Sequence, residues 1–151
     1  MAKEKAEKSL DELLEEALVK EDEQSYALPG NWVWTKLGSI LSLEYGKGMP
    51  KRKRSGEGYP VYGSNGIVGF HKDALIDGPA IIIGRKGSIG EINWANDKCW
   101  PIDTTYYVQT FANLDFVFLY RLLTTINLKN LNRATAIPGL SRYPRAYARG
   151  T

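Results

Sequence analysis

Between Gly38 and Gly90 the chain never runs more than eight residues without meeting a glycine. Most of its 15 glycines fall between Gly38 and Gly90 and cut the apolar residues into short runs. Such runs, bounded by turn-forming residues, fold as strands, because a helix needs several uninterrupted turns of periodic apolar positions. WVWTKLGSILSLEYG reads as one or two short strands, or a strand and a helical turn, and GKGMPKRKRSGEG as a glycine-flanked basic loop. YPVYGSNGIVGFH alternates apolar and small residues around Asn65-Gly66, a pair that favours a hairpin turn. GPAIIIGRKGSIGEINWA gives a strand, a glycine-rich turn and a returning strand, and CWPIDTTYYVQTF a further strand rich in β-branched and aromatic residues.

Two segments have helical periodicity instead. Leu10, Leu13, Leu14, Ala17 and Leu18 lay one apolar stripe along an acidic helix over residues 1–24, with Ser9 and Glu12 at capping-box spacing. A helix of that length is marginal alone in water, so the stripe packs on its own domain, on another subunit or on a distant helix of a longer chain. LDFVFLYRLLTTINLKNL reads as a second helix, with Asp115 near its start and Phe118, Leu119, Leu122, Leu123 and Ile126 on one face. Pro29-Gly30 makes residues 25–30 a linker, which leaves 31–142 as the folded domain and 143–151 as an irregular, disordered basic tail. The expected class is α+β, a small mixed or antiparallel sheet domain with an amphipathic N-terminal helix and a second helix near the C-terminus. A length of 151 residues suits one domain.

Charge is distributed unevenly. Residues 1–24 hold four Lys against nine Asp/Glu, and the other 127 residues hold sixteen Lys/Arg against eight Asp/Glu, so the net +3 conceals an acidic front and a basic body. A basic body favours a polyanionic partner, although charge alone does not separate nucleic acid from a solvated surface. Several chemistries are opposed by missing motifs. No segment has the Gly-x-x-x-x-Gly-Lys-Ser/Thr of a P-loop. Gly84 to Gly90 carries glycines at three-residue intervals ahead of a strand, unlike the Gly-x-Gly-x-x-Gly of dinucleotide folds. The Asn-Pro-Pro-aromatic site of amino-methylating enzymes is missing too. His71 is the lone histidine and Cys99 the lone cysteine, which opposes a Ser-His-Asp triad, an internal disulfide and a transition-metal site. His71 reads as a partly exposed strand-end residue. With neither a secretory signal nor a membrane-length apolar run, the expected location is the cytoplasm.

Three groups point to DNA. Lys47, Lys51, Arg52, Lys53 and Arg54 form a glycine-bracketed basic run that suits a phosphate backbone if mobile, and equally suits a solvated loop. Arg85, Lys86 and Ser88 sit on a turn directly after AIII, where a rigid strand delivers two cations and a hydroxyl. Tyr62, Ser64 and Asn65 mark a hairpin tip, where Asn suits adenine or plain turn chemistry and Ser and Tyr suit phosphates. Thr104, Thr105 and Tyr106 line the same surface or are ordinary strand residues.

The order LPGNWVWTKLGSI, GKGMPKR, YPVYGSNGIVGFH, IIIGRKGSIGEINW, WPIDTTYYV, TAIPGLSR, from about Leu28 to Arg142, resembles a target recognition domain of the specificity subunits of type I restriction-modification enzymes. The resemblance implies a non-catalytic subunit that reads a split duplex sequence, one half per recognition domain, with paired helices setting the spacing. Methylase and restriction subunits assemble on it, and S-adenosylmethionine, ATP and Mg belong to those partners, none to this chain. The pattern is left after Ser141-Arg142, where the family continues into a long spacer helix and this sequence reads YPRAYARGT. The expectation is a single amino-terminal recognition domain, truncated before that helix. The rival reading is an orphan interaction module that keeps the fold, binds partner subunits or self-associates through the Leu10, Leu13, Leu14 and Leu18 stripe, and no longer binds DNA. A free-standing nuclease or methyltransferase is opposed by the missing motifs.

Overall fold

Residues 8–110, 113–129 and 147–150 are described in a computed structural model of the chain. Two compact units form: Met1–Ile40 with Pro144–Thr151, and Leu41–Tyr143. These bounds differ from the 31–142 domain read from the sequence.

In the first unit, helix α1 spans Leu10–Ala17. Both capping-box bonds are made: Ser9 N–H donates to Glu12 Oε2 (2.9 Å) and Glu12 N–H to Ser9 Oγ (3.3 Å). The helix stops well short of residue 24, because the Ala17 carbonyl accepts from Lys36 N–H (2.8 Å) and Thr35 Oγ1 (2.8 Å). Val19 N–H then donates to Trp34 O (3.0 Å), which draws the chain alongside strand β1, Trp32–Thr35. Residues 25–30 are anchored there: the Tyr26 ring stands edge-on to Trp34 at 4.9 Å, and Trp34 Nε1 donates to Tyr26 O (3.0 Å). Strand β1 pairs antiparallel with β9, Tyr147–Gly150, so these four residues are a strand where an irregular tail was expected. The rest of that tail up to residue 146, and residue 151, lie outside the described residues.

The second unit carries two sheets. Strands β2 (Leu41–Tyr45), β8 (Thr105–Thr110), β5 (Ala80–Gly84) and β6 (Ile92–Ala95) form an antiparallel sheet in the order β2-β8-β5-β6. Strands β4 (Gly66–His71), β3 (Tyr59–Gly63) and β7 (Trp100–Pro101) form a mixed sheet in the order β4-β3-β7, with β3 and β7 parallel. The run Ile81–Ile83 is fully buried at the centre of the first sheet, with Leu41 and Leu43 of β2 inward and Ser42 and Glu44 between them. Continuous burial explains why β5 reads as an unbroken apolar run and β2 as an alternating one.

Helix α2, Phe116–Thr125, is capped by Asp115, whose Oδ1 accepts from Phe118 N–H (2.8 Å). Leu119 and Leu123, four residues apart, are its buried line, and Leu122 and Ile126 are half-buried beside it. Phe118, expected on the inward face, is half exposed, since one residue back rotates a side chain about 100° away. The architecture is α+β, as expected. No helix among the described residues is long and apolar enough to cross a membrane.

Candidate nucleic-acid interface

Two turns of the second unit meet. The tip of the β3–β4 hairpin carries Ser64 and Asn65, and the segment between β5 and β6 carries Arg85, Lys86 and Ser88. Ser88 N–H donates to Ser64 Oγ (3.3 Å), tying the tip of one sheet to the turn of the other. Glycine makes this approach feasible. A Cβ on Gly84 would overlap the Ser88 carbonyl oxygen, and one on Gly87, at φ +77°, would sit 3.1 Å from Ser64 Oγ. Ser64, Asn65, Arg85, Lys86 and Ser88 are thus one cluster.

Arg85 is held firmly. Its Nε (3.0 Å) and Nη2 donate to the Asp103 carbonyl, and its guanidinium lies over the rings of Tyr45 (5.1 Å) and Tyr106 (5.9 Å). The backbone N–H groups of Arg85 and Lys86 both donate to Thr104 O (2.8 and 3.1 Å). A guanidinium has five N–H donors, so the two on Asp103 leave others for a ligand. Thr104 therefore serves through its carbonyl. Thr105 is buried with Oγ1 donating to Ile102 O (2.8 Å), and Tyr106 is buried beneath Arg85, so both support the surface from below.

The basic run is strapped to the edge of β4, where a mobile loop was expected. Lys51–Lys53 form a 3-10 turn after Pro50. Arg54 then donates from Nε to Met49 O (3.1 Å) and from Nη1 to Val68 O (3.0 Å), and Gly56 N–H donates to Phe70 O (3.0 Å). Ser55 N–H donates to His71 Nδ1 (3.2 Å), and Ser55 Oγ accepts from Lys72 N–H (2.8 Å). Arg54 is accordingly a strut, because carbonyls on two segments engage its fork. Lys51, Arg52, Lys53 and Lys47 keep exposed side chains. His71 is buried, not partly exposed: it packs edge-on to Trp100 at 5.7 Å and secures Ser55.

Tyr62 leaves the expected surface altogether. It is 7% exposed, its hydroxyl donates to Trp94 O (3.4 Å), and it packs with Ala80, Ile82, Ala95 and Cys99. Burial first, and the Cys99 thiol second, push its phenol above the ordinary range. Burial pushes Cys99 itself up to about 12, so this thiol is no nucleophile. Among the described residues no group of three or more His, Cys, Asp or Glu is placed to hold a metal ion.

Two participants escaped the sequence reading. Tyr45 backs Arg85, which an aromatic ahead of Gly46 does not announce. Asn93 of β6 has Oδ1 3.7 Å from where a Cβ on Gly66 would stand, and its Nδ2 is buried without a hydrogen-bond partner, beside the hairpin tip. Nothing local distinguishes it from any strand asparagine.

Known proteins carry the same frame. The chain is 27% identical over 111 residues to the specificity subunit of the type I restriction enzyme EcoprrI of Escherichia coli, covering 70% of this chain and 28% of that protein. The S subunit of a type I restriction-modification system from M. genitalium superposes with a TM-score of 0.69 at 22% identity, over 80% of this chain and 35% of that one. The HsdS subunit from Thermoanaerobacter tengcongensis does so at 0.50 and 20% identity, over 74% of this chain and 31% of that one. The chain thus spans about a third of the length of these relatives. Residues 29–143 match the family described as the type I restriction modification DNA specificity domain, and the chain belongs to that family.

Proposed function

We propose that this domain reads one half of a split duplex DNA sequence and performs no chemical step itself. The observation that carries the reading is the union of the hairpin tip with the Arg85–Ser88 turn, continued by the basic 3-10 turn along β4. Lys47, Lys51, Arg52 and Lys53 supply phosphate contacts, and Arg85, Lys86, Ser64, Asn65 and Ser88 face the bases. Methylase and restriction subunits, carrying S-adenosylmethionine, ATP and Mg, act where the domain places them, in the cytoplasm.

Fluorescence anisotropy with duplex DNA across a salt series tests this. Replacing Arg52 and Lys53 by alanine lowers affinity, and the slope of log K against log salt becomes shallower by about 0.9 for every phosphate the variant leaves unneutralised. An unchanged slope and affinity would remove both residues from the interface.

A second surface supports assembly. Leu10 is 73% exposed and Leu13 and Leu14 each 49%, so the stripe of α1 is uncovered within the described residues. We assign it to docking on a partner subunit or a second copy. Size-exclusion chromatography across concentration, with Leu13→Lys/Leu14→Lys as the control, separates the two. Association that survives the double substitution sinks the assignment.

A further inference from the structure

Strand β4 exposes large apolar side chains: Ile67 is 54% and Val68 46% exposed. Ile67 stands across from Tyr62, while a Cβ on Gly63 would meet Val68 Cγ1, so the two side chains lie on opposite faces of the strand. The register shift at Val61/Tyr62 leaves Val68 without a cross-strand partner, and such bulges re-aim side chains.

What covers this ridge follows from its surroundings. A further strand cannot add alongside Val68 and Phe70, because their carbonyls already accept from Arg54 and Gly56. A flat protein face covers one side of a strand and leaves the other in water, whereas a groove receives both. Cations flank the ridge at each end: Lys51, Arg52 and Lys53 beside Arg54, and Arg85 and Lys86 beyond the Ser64–Ser88 contact. An aliphatic ridge framed by positive charge suits a groove walled by phosphates, and the major groove admits a two-stranded ribbon. The apolar group a duplex offers there is the C5-methyl of thymine.

We infer that Ile67 and Val68 enter the major groove and recognise thymine through its C5-methyl group. The inference rests on the DNA-reading function and specifies part of its chemistry. To test it, the full chain selects duplexes from a random-sequence pool, and deoxyuridine then replaces thymine in the selected duplex. Binding weakens about fourfold for each contacted methyl removed, the size expected for one methylene-sized burial. The Ile67→Ser/Val68→Ser variant binds the thymine duplex more weakly than the wild type and no longer distinguishes it from the deoxyuridine duplex. Equal wild-type affinity for both duplexes, or a selected site without A·T pairs, overturns the inference and leaves DNA reading intact. Selection of no duplex at all overturns DNA reading itself. Indifference to deoxyuridine, together with self-association that the double variant abolishes, makes the ridge a protein contact instead.

Discussion

Arg54 and Arg85 are both immobilised, one between two backbone segments and the other against a carbonyl and two rings. Arg54 places Nε and Nη1 on the carbonyls of Met49 and Val68, and its chain crosses Gly69, where a Cβ would lie 3.1 Å from its Cδ. Lysine cannot reproduce that fork, so Arg54→Lys lowers stability by about 1–2 kcal/mol, read as a shift in urea midpoint. Arg85 engages a single carbonyl and two rings, which positions the guanidinium without exhausting it. In the sequence these two arginines look alike, since each lies in a cationic run beside glycine. What separates them is the neighbouring segment, which no local pattern records. Tyr62 repeats the lesson, because an aromatic at a hairpin looks exposed until β6 closes over it. Its phenol and the Cys99 thiol both hold their protons more tightly when folded. Their neutral forms favour the native state, and this contribution is complete below the unfolded pKa of about 8.5 for a thiol. It is lost as pH rises toward the folded Cys99 value of about 12, because the unfolded chain ionises first. Urea midpoints therefore fall through this window, and Cys99→Ala flattens the decline. A midpoint that rises with pH there would contradict the burial argument.

At the scale of elements, the start of α1 was legible and its end was not. Ser9 and Glu12 are three residues apart and cap each other, so sequence spacing suffices. The end is set by Thr35 and Lys36, whose donors take the Ala17 carbonyl from eighteen and nineteen residues further along the chain. The same contrast governs the interface. The β3–β4 hairpin follows from Asn65-Gly66, but its junction with the Arg85–Ser88 turn depends on how two sheets pack. Gly84 is where that junction is most exposed to change, since a methyl there overlaps the Ser88 carbonyl and comes 3.0 Å from Ser64 O. Gly84→Ala therefore displaces the turn: DNA affinity falls more than tenfold while far-ultraviolet circular dichroism retains the sheet signal. Equal affinity in that variant would mean the two turns need not meet for binding.

At the scale of the whole molecule, the acidic front and basic body were visible in composition, whereas the division at Ile40 was not. The segment WVWTKLGSILSLEYG runs across it with no change of texture, because β1 and β2 are both short apolar strands assigned to different units by their partners β9 and β8. The proposed DNA-reading residues, 47 to 88, all fall within the second unit, and the leucine stripe falls within the first. Binding and docking are therefore separable by mutation. One hairpin, the Arg85–Ser88 turn and the basic 3-10 turn present a single contact surface, and single DNA-binding modules bury about 600–1,000 Å². Such a surface covers less than one helical turn of duplex, about 10 base pairs. Hydroxyl-radical footprinting of the wild-type chain at low salt accordingly gives one uninterrupted protected block of that size or smaller. Leu13→Lys/Leu14→Lys leaves the block unchanged, since no proposed phosphate or base contact lies on α1. Two protected blocks that merge into one in the leucine variant would instead show that a second copy, joined through α1, supplies the other half of the read sequence.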